Sequence, residues 1–305
     1  MTGCLALFFA SSTAFCEDNA KARSLDQIAS DINLRLEYLR LEMGKPPVPI
    51  PEVAIEGESP RERYHLASSL FNKANILYFE WLHDIEEHPP APEGPIMDTH
   101  VADLLSRVYS LLEKSRVGMG LPKNDSAAGQ PVKCDFAFLL SANRRLNGLL
   151  INSLAPRNAF QQVSLAVKHA ARLIARFPGV ERIPPAEPMP RRKIPADVHA
   201  RLLKCLGMIN ELDRRSGMKP FVIKSFDFKG AVVDPSDVYD LAFIIVSELD
   251  HLHQQTPGAR NLPSFYFPET KFPSQVFQRA GILEAQLKIL DQMTAADPNW
   301  LKGER

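Results

Sequence analysis

Glycine is scarce in this chain and cysteine scarcer: 305 residues hold 15 glycines, 4 cysteines and 2 tryptophans, against 25 prolines. No glycine-rich phosphate loop, nucleophile elbow, zinc-type cysteine spacing or paired redox cysteine motif occurs, which leaves the common nucleotide, hydrolase and thiol chemistries without a signature. Neither sign of charge is in excess, with 36 basic and 36 acidic residues, so no global field draws the chain to nucleic acid or an anionic membrane. No stretch reaches the roughly 18–20 apolar residues of a membrane span. An apolar fraction of 45% with 24% charged residues is that of a soluble globular protein.

Residues 1–16 are apolar with small residues at 10–14, and Glu17-Asp-Asn-Ala20 follows. This is the pattern of a secretory signal peptide and its cleavage region, although no Lys or Arg precedes the apolar run. The expectation is export to the periplasm or beyond. Removal of this segment would leave Cys134 and Cys205, read as two small residues on apolar helix faces, with pairing in an oxidising compartment as the alternative.

What is present is a recurring helix. Asp234 caps a stretch in which Pro235 occupies the first helical position and Asp237 the first turn. Val238, Leu241, Ile245, Leu249 and Leu252 then form one apolar stripe. Phe243, Ile244 and Val246 widen it, which marks an inner helix. Related stretches begin at Pro60, Pro156, Pro195 and Pro273, each with a ring four residues on: Tyr64, Phe160, His199, Tyr239, Phe277. The last four prolines are 39, 40 and 38 residues apart. A fixed period of that size signals a repeat architecture.

Further helices are expected from Ser24, Asp98 and Cys134. The fold class is therefore all-α: eight helices with starts about 36–40 residues apart, joined by long proline-rich extended linkers. A short connection at 152–155 breaks the period, so two four-helix units are expected, 17–153 and 154–293, with a continuous solenoid as the competing arrangement. Residues 294–305 are expected to be a flexible tail, with Trp300 its one anchor. Linkers of about 15 extended residues span about 50 Å, enough to run back along a helix of about 30 Å and leave successive helices parallel. The alternating runs 221–228 and 264–267 suit short strands or a covering over the helices.

Candidate sites are few. Tyr64, Phe160, Tyr239 and Phe277, with Phe265, Tyr266 and Phe267 in a linker, are candidates to line a ligand or partner groove. The structural reading is that a first-turn ring packs on the incoming linker, as in a hydrophobic staple. Glu62-x-x-His65 and Glu248-x-x-His251 have the spacing used by di-metal helical bundles, but Glu62 lies in a first turn and Glu248 far along its helix, so the two are not expected to meet. The second helix is expected to run from about Pro60 to Glu87, which makes His83/Glu87 and Asp84/His88 i, i+4 pairs at its C-terminus. They are a metal candidate, with the helix dipole as the alternative reason for histidine there. Pro190-Arg-Arg-Lys193 and Arg214-Arg215 read as solvated charge. The reading is a non-catalytic exported protein that binds a protein partner or small ligand, with no cofactor. A metal-dependent enzyme or metal carrier is the rival, and a ligand-sensing subunit the third possibility.

Overall fold

The structure is a computed structural model, and it describes residues 23–123, 131–260, 262–263, 269–295, 297 and 300–301. Among these lie eight helices and one two-stranded sheet: α1 Leu25–Glu42, β1 Glu52–Glu56, α2 Pro60–Leu82, α3 Asp98–Gly118, α4 Phe136–Leu149, α5 Pro156–Ile174, α6 Pro195–Arg215, β2 Val222–Asp227, α7 Pro235–Gln254 and α8 Pro273–Ala295. The protein is all-α apart from that sheet. No helix among the described residues is long and apolar enough to cross a membrane.

Helix starts follow one local rule. Each of α2, α5, α6, α7 and α8 opens on proline, whose missing N–H falls where no intrahelical acceptor exists. Two residues later a polar side chain turns back to accept the backbone N–H just ahead of the helix. Glu62 serves Ser59, Asn158 serves Ala155, Asp197 serves Ile194, Asp237 serves Asp234 and Gln275 serves Phe272. His100 does the same for Met97 at the start of α3.

The helices of each set of four run in one direction. Pro156, Pro195, Pro235 and Pro273 surround one small space with Ala159, Val198, Val238 and Val276, so α5–α8 start at the same end. In α1–α4 the starts are tied by polar groups. Arg63 meets Asp98 at 2.8 Å and Glu58 at 3.4 Å, and its Nη1 donates to the Cys134 carbonyl. The Cys134 amide donates to Asp26. Parallel neighbours require long returns, and 83–97 is one. Asn75 exchanges hydrogen bonds with the Glu86 backbone and Ser68 reaches His88, so this linker doubles back along α2.

Within each set the neighbour order is the same. α1 and α2 both pack on α3 and α4, as α5 and α6 both pack on α7 and α8. α7 also packs on α2 and α4, and is buried on nearly every face. Arg61 meets Glu248, Ser69 meets Asp240 and Asn72 meets Tyr239, so α2 and α7 are antiparallel. β1 and β2 pair antiparallel, Glu52 opposite Asp227 and Glu56 opposite Val222. The linker 45–59 thus contains a strand, paired with the linker after α6. Gly57 ends it at φ +87°, where a Cβ would lie 2.2 Å from the Pro220 carbonyl oxygen.

Of the stretch expected as a tail, the described part is held at Trp300, the anchor expected for it. Trp300 and Leu301 are buried; the Trp300 indole donates to Ser216 Oγ at 3.1 Å and stacks on Phe177. The second helix is shorter than expected. His83 adopts φ 55° and stops it, so residues 83–88 are not helical and His83/Glu87 and Asp84/His88 do not share a helix face. Cys134 and Cys205 are buried free thiols, both pushed up to about 12 by desolvation.

Candidate functional site

The seam between α7 and the α2/α4 pair carries charge where a core would be apolar. Lys73 and Asp240, both fully buried, lie 2.7 Å apart, and Ser69 Oγ donates to the same carboxylate at 2.6 Å. Arg144 Nη1 donates to both oxygens of Asp237 at 2.8 and 2.9 Å, while its Nη2 reaches the Val232 carbonyl. At the other end of the seam Arg61 Nη2 lies 2.7 Å from Glu62 Oε1 and 2.7 Å from Glu248 Oε2. Burial raises Glu248 well above the ordinary carboxylate range against the pull of Arg61, and contact with the Glu62 carboxyl raises it further.

Arg61 and Glu62 of that triad line a cavity of about 820 Å³, with Glu248 paired to Arg61 behind them. Four elements build it. The start of α2 supplies Arg61, Glu62, Tyr64 and His65; the last turns of α7 supply Ser247, Asp250 and His251; the returning linker supplies Pro92, Pro95 and Ile96; and Lys219 stands on the stretch leading to β2. The cavity falls within the size range of small-molecule sites. Its histidines are neutral: desolvation, aided by Arg61, holds His65 down to about 3 and His251 to about 4. Asp250 is raised by burial and sits 3.6 Å from His169 Nδ1.

Compared with family models, curated proteins and solved structures, the chain matches none. The site must therefore be read from its own groups.

The sequence-derived candidates are distributed unevenly over this geometry. Glu62 and Glu248, expected to stay apart, are brought together because α2 and α7 cross antiparallel, and His65 and His251 flank the same cavity. A guanidinium, not an ion-sized gap, joins the two carboxylates. Among the described residues no three His, Cys, Asp or Glu side chains are placed to hold a metal ion. His83 caps α2, Asp84 accepts from the Tyr78 hydroxyl, His88 contacts Ser68 and Phe71, and Glu87 is exposed.

Of the repeated rings, Tyr64 alone reaches the cavity. Tyr239 is buried in the seam and accepts from Asn72; Phe160 lies beneath Lys271 and Arg279; Phe277 lies beneath Lys193 and Arg201. His199 packs on Phe226 and Phe228. These rings do not converge on one groove, and three of them meet linker residues. Phe265, Tyr266 and Phe267 lie outside the described residues. Sequence reasoning missed Arg61, Ser247, Asp250 and Lys73. The signal for the seam was present on α7: Asp237, Asp240, Ser247 and Glu248 recur at helical spacing within an otherwise apolar helix.

Proposed function

We propose that this protein is a non-catalytic, exported helical protein that binds a small ligand in the cavity between α2 and α7. One observation carries the reading: a cavity of about 820 Å³ converges several polar groups on an apolar, proline-walled surface. That combination supports orientation-specific binding. The seam beneath it is held by buried ion pairs, which keep the cavity's groups in place before any ligand arrives. Two four-helix units derived from one ancestral unit, with the cavity at their junction, complete the proposal. The matching neighbour order of α1–α4 and α5–α8 supports it. The rival reading, a metal-dependent enzyme or metal carrier, is disfavoured because a guanidinium already occupies the space between the two Glu-x-x-His motifs.

The test is a thermal-shift screen of the full chain against sugars, amines, carboxylates, nucleosides and divalent metal ions. A ligand raising Tm in the wild type but not in His251→Ala is the expected result, by mass action on the folded state. No shift with any compound would overturn the small-ligand reading. Stoichiometric iron, manganese or zinc, lost in Glu248→Ala, would favour the rival. Export is tested separately by N-terminal sequencing of protein recovered from the cell envelope, with cleavage near residue 16 expected.

A further inference from the structure

Buried polar atoms without a hydrogen-bond partner gather at this cavity: a hydroxyl, carboxylate acceptors and one donor, the Nε of Arg61, which already faces two carboxylates. Ser247 lines the cavity, is 1% exposed, and its Oγ has no hydrogen-bond partner. Glu62, fully buried, directs Oε2 to its own helix cap, while Oε1 has only the ion-pair contact with Arg61. Glu248 lies behind it, its raised carboxyl against that of Glu62. Asp250, on the cavity wall, accepts from Gln254 at 3.3 Å and keeps a partly open carboxylate. A buried acceptor without a donor is costly, so such a group marks the place where a donor arrives.

The charge balance has the same sign. Glu62, Asp250 and Glu93 lie on the wall with Arg61 and Lys219, and the neighbouring imidazoles of His65 and His251 stay neutral. Arg61 is already shared between two carboxylates. The lining also includes the Tyr64 ring, whose face attracts cations, and the apolar run of Pro92, Pro95 and Ile96, which suits a methylene chain.

We propose that the ligand is an organic cation, an aliphatic chain carrying a primary or secondary ammonium, whose nitrogen donates to Ser247 Oγ and the carboxylates of Glu62 and Asp250. This rests on the reading of the cavity as a small-ligand site and specifies its chemistry. An ammonium supplies several donors and a charge at one atom, as the unpaired hydroxyl and flanking carboxylates require. Its stem lies along the proline wall.

Isothermal titration of the full chain at moderate salt provides the test, with spermidine and putrescine as cations and butane-1,4-diol and glucose as neutral probes. Saturable 1:1 binding of an amine is expected, with none of the diol. Ser247→Ala removes a hydroxyl without a protein partner, so its fold is unaffected. Together with Asp250→Asn it should weaken the amine by roughly tenfold or more, with the free protein's Tm held. Amine binding equal in wild type and both variants would mean surface association and overturn the proposal. Binding of glucose or the diol in place of the amines would overturn the cation assignment and leave the small-ligand reading standing. Binding of no probe of either class, with no response in the wider screen, would remove both.

Discussion

Asp213, on α6, is 1% exposed and neither carboxylate oxygen has a hydrogen-bond partner. Desolvation raises it to about 7; Arg61 draws it down and Glu62 pushes it up. The sign of its effect on stability follows from linkage. A carboxyl raised in the folded state is most favourable to folding when protonated in both states, below the unfolded value near 4. Its contribution is lost as pH rises through that value toward 7, because folding then requires either proton uptake or a buried charge. Asp213→Asn places a neutral group in the same space. It should raise stability by roughly 2–4 kcal/mol at pH 8 and by less at pH 5. Urea unfolding at the two pH values measures the difference; an equal gain at both, or a loss at pH 8, would show that the carboxylate has a donor in solution. The buried histidines act in the opposite sense. His65, His169, His199 and His251 are all held to about 3 or 4 by desolvation, so their stabilisation declines as pH falls below about 6.5.

Between elements, the contact that decides the architecture is α2 against α7. Lys73 Nζ lies 2.7 and 2.8 Å from the two oxygens of Asp240, and desolvation pulls the lysine down and the aspartate up. Truncating one partner leaves the other charged and alone in the core. Lys73→Met should cost about 3–5 kcal/mol, and Lys73→Met with Asp240→Asn should recover much of it, since a neutral pair carries no unpaired charge. The comparison is made by urea unfolding of both variants; a double variant as unstable as the single one would mean that the charges matter for packing rather than for each other. The helices themselves were legible because their start is local chemistry: proline at the first position, and an acid or amide two residues later. The starts at Pro60, Pro156, Pro195, Pro235 and Pro273 are all found where that chemistry places them. The end of α2 was not. It is set by His83 turning left-handed and by Asn75 clasping Glu86, neither of which has a periodic signature. Nor was the cavity. It depends on Glu248 reaching Arg61 across 187 positions of sequence, and no local pattern encodes the direction in which two helices cross.

For the molecule as a whole, the two sets of helices are joined in two places, the α2/α4–α7 seam and the β1–β2 pair. Phe221 is the apolar part of the second joint. It is nearly fully buried, with its ring centroid 5.0 Å from that of Phe136 at the start of α4, so the linker after α6 is anchored in the first set. Residues 221–228 read in the sequence as a possible strand because their side chains alternate. The partner strand was harder to see, since Glu52-Val-Ala-Ile-Glu56 is only five residues set among prolines. Phe221→Ala empties a ring-sized space at this joint and should cost about 3–5 kcal/mol. How that loss is distributed tests whether the sets fold together. The chain's two tryptophans lie one in each, Trp81 on α2 and Trp300 packed against Phe177 and Ser216 of the second. Single-tryptophan forms made with Trp81→Phe or Trp300→Phe therefore report each half separately. A charged seam that is buried only when both halves are folded should make them cooperative, with coincident urea transitions that move together to lower urea in Phe221→Ala. If the two reporters separate, with the Trp81 transition unmoved, each half is stable alone, and the cavity at their junction is formed by docking of two finished units.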